Sequence, residues 1–194
     1  MAMAGITNIS MDAGAGRDLA FEPGPPVQIV DYDVAWPAMF EAIAAELVAA
    51  CPPGSILSVE HVGSTSVPGL AAKPIIDLSP LVRDFDEAAA LVPCLEAIGY
   101  VYRGEYGIAR RHYFVYREAD SRHVHILEPG NHHHLRHVLF RDYLRAHPES
   151  AAAYAAMKRE MARQHGVSRE AYTVAKTPFI HDILQRAGYR GPLD

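Results

Sequence analysis

His61-Val-Gly-Ser-Thr-Ser-Val-Pro-Gly-Leu-Ala-Ala-Lys-Pro-Ile-Ile-Asp77 is the stretch on which the reading of this chain turns. An apolar, strand-like run from Ile56 to Val62 stops abruptly at Gly63-Ser64. A second apolar run, Pro74 to Val82, carries a single acid, Asp77. Gly63 lets backbone approach a ligand closely, and successive amides in such a turn can cradle a phosphate. Ser64, Thr65 and Ser66 add hydroxyl donors to the same loop. A carboxylate inside an apolar strand is costly unless a metal or a nearby cation pairs with it.

Working outward, Val27 to Val34 reads as a strand. A helix follows, because Trp36, Met39, Phe40, Ile43 and Leu47 recur at three- and four-residue steps, with Pro37 in the first turn. Asp84 to Ile98 reads as a second helix, ended by Gly99. Tyr100 to Tyr106, His112 to Arg117 and Arg122 to Leu127 read as strands, with a tight turn at 118–121. From Leu135 onward the pattern is helical. Leu135, Val138, Leu139 and Tyr143 share one face, and Tyr154, Met157 and Met161 another. Pro148 and Gly166 separate these helices, and Thr177-Pro178 kinks or restarts the last one, roughly 169–187. The expected architecture is α/β, a mixed αβ half followed by a helical half. Residues 1–26 read as a flexible arm, 27–187 as one domain and 188–194 as a C-terminal tail.

Composition bounds the function. The 194 residues are 49% hydrophobic and 21% charged, an ordinary globular balance with enough chain for a sizeable core. A net charge of -5 offers no basic footprint for duplex nucleic acid. A small or anionic substrate held by a local cluster of cations remains compatible with it. Cys51 and Cys94 form no metal-type spacing and fit a reducing compartment. No apolar run approaches membrane-spanning length, and the N-terminus lacks a secretory pattern, so a cytoplasmic location is expected by elimination.

Asp77 and Ser79 alternate onto one face of their strand, and His123 and His125 onto one face of theirs. Two imidazoles aimed at one point can ligate a metal. The plain alternative is a half-exposed sheet face on which both rings pair with carboxylates or water. Arg110-Arg111 reads either as an anion clamp or as an exposed hairpin. Lys73 enters the Asp77 strand and can meet a phosphate or merely solvate a loop end. Asn131-His-His-His134 reads as a solvated loop, and His137, Arg141 and Arg145 as a helical stripe of the kind that normally faces water. Lys158 and Lys176 can reach a phosphate from the helical half or lie on the surface. Tyr32 and Trp36 read as core anchors. The glycine-serine loop is not a Walker loop, because no Gly-Lys-Ser/Thr follows it.

The segment from His61 to Asp77 resembles the signature of GrpB-like proteins. The resemblance continues in Tyr32 with Trp36, in His123-Val-His-Ile-Leu, in Leu139-Phe-Arg-Asp-Tyr-Leu-Arg-Ala-His-Pro148 and in Glu170-Ala-Tyr-Thr-Val-Ala-Lys176, covering about residues 27 to 187. That family is similar to the nucleotidyltransferase superfold, which implies a mixed sheet flanked by helices. There a Gly-Ser turn precedes a strand bearing two acids one residue apart, and a later strand supplies a third. Gly63, Ser64 and Asp77 match; Ser79 stands at the second acid position, and the third falls on the strand of His123 and His125.

The resemblance implies a metal-dependent transfer of a nucleoside monophosphate from a nucleoside triphosphate to a small-molecule acceptor. Asp77 and His125 would be the catalytic groups, and Asp77, His123 and His125 the metal ligands. Gly63, Ser64, Thr65, Ser66, Lys73, Arg111, Arg141 and Lys176 would meet phosphates. The implied cofactor is a divalent ion, magnesium, manganese or zinc. One aspartate with histidines suits zinc or manganese better than magnesium, which favours oxygen ligands. The alternative on the same fold is a non-catalytic nucleotide- or anion-binding accessory domain.

Overall fold

Trp36–Ala50 forms α1, and it buries Trp36, Phe40, Ile43, Ala44 and Leu47 along the stripe that their spacing dictates. Tyr32 meets the Trp36 ring edge-on at 5.2 Å. Then come β1 (Ser58–Val62), a single 3₁₀ turn at Ser64–Ser66, and β2 (Ile76–Leu81). The expected helix at 84–98 is two pieces, a 3₁₀ turn at Glu87–Leu91 and α2 (Val92–Ala97). Pro93 lacks the N–H that would continue the preceding turn, so the helix restarts there. The remaining elements are β3 (Tyr100–Tyr102), β4 (His112–Tyr116), β5 (Arg122–Ile126), α3 (His132–Ala146), α4 (Pro148–His165) and α5 (Arg169–Arg186). This computed structural model describes residues 27–116, 121–165 and 168–193. The expected arm, most of the expected 118–121 turn and Gly166 lie outside the described residues.

The five strands form one mixed sheet in the order β1-β2-β5-β4-β3. β2 and β5 are parallel, and the other pairs are antiparallel. Two strand expectations are corrected. Val27 to Val34 is not a strand: it makes one bridge, Val30 with Ala72, before Asp33 turns the chain into α1 by accepting from Ala35 N at 2.8 Å. β3 ends at Tyr102, because the chain turns through Gly104 at φ 64, whose carbonyl accepts from Tyr113 N at 2.9 Å. α5 runs through Pro178 without restarting.

The sheet separates two environments. One face carries Ile76, Leu78, Phe114, Val124 and Ile126, which pack with α1, Leu91 and Leu95 into the main core. The other carries Asp77, Ser79, His123 and His125 and is covered by α3. A second apolar cluster joins Val67 and Leu70 to Leu144, Tyr154 and Ile183, so the segment after the glycine-serine loop is gripped by the helical half. Among the described residues no helix is long and apolar enough to cross a membrane.

Candidate functional site

Parallel pairing of β2 with β5 puts Asp77 directly opposite His123, and His125 follows two residues on, on the same face. Asp77 Oδ1 lies 3.3 Å from His123 Nδ1 and 3.7 Å from His125 Nε2. Ligand-capable atoms of the three residues all lie within 4.8 Å of one another. Burial alone would raise the Asp77 pKa, but hydrogen bonds from His123 and His125 outweigh it. The carboxyl therefore sits well below the usual carboxylate range and is ionised.

Behind His125 stands Arg111, 4% exposed. Its Nη1 is 3.3 Å from His125 Nδ1, Nη2 donates to the carbonyls of Glu105 and Tyr106 at 3.1 and 2.9 Å, and the guanidinium covers the Tyr113 ring at 4.6 Å. Burial lowers its pKa to about 10, so it remains charged at neutral pH. A guanidinium only donates, so Nδ1 accepts, and neutral His125 carries its proton on Nε2, directed at Asp77. Burial also holds His125 below the usual imidazole range. One carboxylate and two imidazoles fit a transition ion better than magnesium. Asp77 and His123 can hold such an ion once the His123 ring proton moves from Nδ1 to Nε2, whereas His125 must also release Arg111 to present a lone pair.

The loop is locked by its own hydroxyls. Thr65 Oγ1 donates to Ile75 O at 3.0 Å and takes a hydrogen bond from His61 Nε2 at 3.1 Å. Ser66 Oγ donates to Gly63 O at 2.6 Å. Ser64 is hydrogen-bonded to Tyr154. The Thr65 and Ser66 side chains, expected to face a ligand, are thus buried structural contacts. α3 clamps the same loop: Arg145 donates to Ser66 O at 3.0 and 2.7 Å, and Arg141 donates to His61 O at 3.0 Å and to Glu60 Oε2 at 2.7 Å.

A family model described as GrpB protein matches residues 26–186. The chain belongs to the GrpB family. UPF0157 protein YqkA of Bacillus subtilis is 41% identical over 167 residues, which cover 85% of this chain and 48% of that protein. A dephospho-CoA kinase of Mycolicibacterium paratuberculosis is 32% identical over 188 residues, covering 84% of this chain and 46% of the kinase. The chain thus spans about half the length of either protein. Among solved structures, conserved protein GrpB from Enterococcus faecalis has a TM-score of 0.77 at 38% identity, covering 82% of this chain and 96% of that one. Terminal uridylyl transferase 4 from Trypanosoma brucei with bound dUTP has a TM-score of 0.52 at 13% identity, covering 84% of this chain and 57% of that one. That likeness is one of fold: this GrpB-family sheet and its helices are nucleotidyltransferase-like.

Within this GrpB-family fold, Ser79 is fully buried, with Oγ 3.4 Å from His134 Nδ1. Arg110 pairs with Glu128 and stays half exposed, and Glu128 takes no part in the Asp77 cluster. Of the α3 stripe, Arg145 stays exposed, but His137 and Arg141 turn inward. His133 and His137 face His125, with ring centroids 5.8 and 5.3 Å away, and the Arg141 side chain is 11% exposed. Burial puts His137 down at about 3 and His133 far below the imidazole range. These two rings were missed by sequence reasoning. Their four-residue spacing was the signal, once Asn131 is recognised as the N-cap that accepts from His133 N at 2.8 Å. Lys73 and Lys176 both lie against the Tyr172 ring, at 4.9 and 4.5 Å, and the Lys176 charge is felt by Asp77. Lys158 is buried rather than on the surface.

Proposed function

We propose that this protein is a metal-dependent nucleotidyltransferase that moves a nucleoside monophosphate from a nucleoside triphosphate to a small-molecule hydroxyl or phosphate. The observation that carries the reading is the convergence of ionised Asp77, His123 and His125 beside the Gly63-Ser64 turn on a nucleotidyltransferase-like fold. The uridylyl transferase of that fold holds dUTP, which supports a nucleotide as the ligand. The triphosphate would lie along Gly63 and Ser64, with Lys73 and Lys176 meeting its charge. An acceptor oxygen attacks the α-phosphorus, the bond to the α–β bridging oxygen breaks, and pyrophosphate leaves with that electron pair. A hydroxyl acceptor releases its proton to solvent, and His125 holds Asp77 in place. A divalent ion held by Asp77 and His123 would neutralise phosphate charge.

A second reading, a nucleotide- or anion-binding accessory domain, is favoured by Ser79 at the second acid position and by the match to about half of a dephospho-CoA kinase. Isothermal titration of the folded protein with ATP, GTP, CTP and UTP, each with manganese or zinc, tests the first. The transferase reading expects saturable binding of at least one nucleotide and slow release of pyrophosphate. Binding without any pyrophosphate release, retained in Asp77→Asn, selects the accessory reading. No heat with any nucleotide contradicts both as nucleotide sites.

A further inference from the structure

Lys158 on α4 is 2% exposed, and its Nζ has no hydrogen-bond partner among the described residues. The ammonium lies 4.5 Å from the centroid of the Tyr154 ring, and Tyr154 is hydrogen-bonded to Ser64 of the glycine-serine loop. Lys158 and Lys176 repel one another, Lys176 and Lys73 do likewise, and Asp77 is the acid that reaches Lys176. Burial lowers Lys158 to about 7 and Lys176 to about 8. A buried ammonium with no carboxylate or carbonyl to accept from it is a costly arrangement. An anion arriving beside Ser64 would satisfy it, and the flexible four-carbon stem lets Nζ swing to meet one.

We propose that Lys158 and Lys176 form an oxyanion subsite beside Ser64 that takes the terminal phosphates of a polyphosphate chain. The chemistry is common to a nucleoside triphosphate and to free inorganic polyphosphate. Assignment to the nucleotide rests on the transferase reading; the need for an anion rests on the lysines alone. The subsite also accounts for a lysine where an apolar residue would pack more cheaply between Tyr154 and its neighbours.

The test is isothermal titration of wild type, Lys158→Met and Lys176→Met with inorganic tripolyphosphate, a nucleoside triphosphate and its monophosphate, together with thermal melts without ligand. Lys158→Met removes a buried charge and keeps the volume, so it should melt at or above wild type. It should nevertheless bind tripolyphosphate and the triphosphate about tenfold more weakly, the loss of one charge-assisted hydrogen bond. The monophosphate should be unaffected. Should Lys158→Met not fold, Lys176→Met, whose side chain is only partly buried, reads the same subsite. Unchanged tripolyphosphate affinity in a folded Lys158→Met, or a wild type that binds neither polyphosphate, overturns the subsite. Wild type that binds tripolyphosphate but no nucleotide supports the subsite and removes the transferase reading. Nucleotide binding indifferent to both lysines does the reverse.

Discussion

A β-carbon on Gly63 would stand 2.1 Å from Oδ2 of Asp77, so the glycine is the space that the carboxylate occupies. Strand register makes the approach inevitable: Val62, the residue before Gly63, pairs with Asp77. Gly63 also sits at φ 71, in the left-handed region. Gly63→Ala should therefore cost about 1–2 kcal/mol for the backbone alone, and it should push the carboxylate off His123 and His125. Urea unfolding at neutral pH reads the first effect and metal content the second. An alanine variant as stable as wild type that still retains metal would contradict the arrangement.

Arg141 is a positioning residue. Its guanidinium ties α3 to β1 through Glu60 Oε2 at 2.7 Å and His61 O at 3.0 Å. Arg141→Met should lower stability by about 1–3 kcal/mol, the range for losing charged hydrogen bonds. A double-mutant cycle with Glu60→Gln should recover part of that as coupling. If phosphate contact were the main role, nucleotide affinity would instead collapse at unchanged stability.

The protein should be acid-labile well above the carboxylate range. Burial holds His61 at about 4 and His137 at about 3, against an ordinary value of 6.5. As pH falls through 6.5 the unfolded chain takes up protons on these rings and the folded chain does not. The unfolded state then binds more protons, so stability declines as pH decreases. Each such ring contributes on the order of 2 kcal/mol between pH 7 and pH 5. The depressed Asp77 carboxyl works in the same direction further down, below its unfolded value near 4. Chemical denaturation at half-unit pH steps checks this; a flat profile from pH 7 to pH 5 would show that the rings are not held neutral.

The two histidines of the pair should differ as metal ligands. Arg111 donates into His125 Nδ1 and leaves a proton on Nε2, whereas His123 Nδ1 lies 3.3 Å from Asp77 Oδ1. His123→Ala should therefore weaken zinc or manganese binding more than His125→Ala does, by about tenfold. Competition with a chelating dye measures both, and equal losses would mean that Arg111 does not set the His125 tautomer.

Much of this was legible in the chain, for physical reasons. Alternation alone placed Asp77 with Ser79 and His123 with His125, and the abrupt stop at Gly63-Ser64 marked the loop. The parallel register that sets Asp77 opposite His123 could not be read, because nothing local encodes which strand lies beside β2. The α3 stripe was misjudged because a polar helix face normally turns to water. Here the sheet face that it covers is itself polar, bearing Asp77, Ser79, His123 and His125, so His133, His137 and Arg141 turn inward. Lys158 escaped for the same reason: periodicity reports that a position is polar, not that the fold buries it. Val27 to Val34 carried a strand-like pattern but has one bridging partner, Ala72, and no ladder to join.

Metal analysis of tag-free protein, loaded with manganese or zinc and desalted, measures the convergence of Asp77, His123 and His125 most directly. Wild type should keep about one ion per chain, and both Asp77→Asn and the His123→Ala/His125→Ala double variant should lose it while remaining folded. An ion that stays bound in Asp77→Asn, or a folded wild type that retains none, would contradict the site.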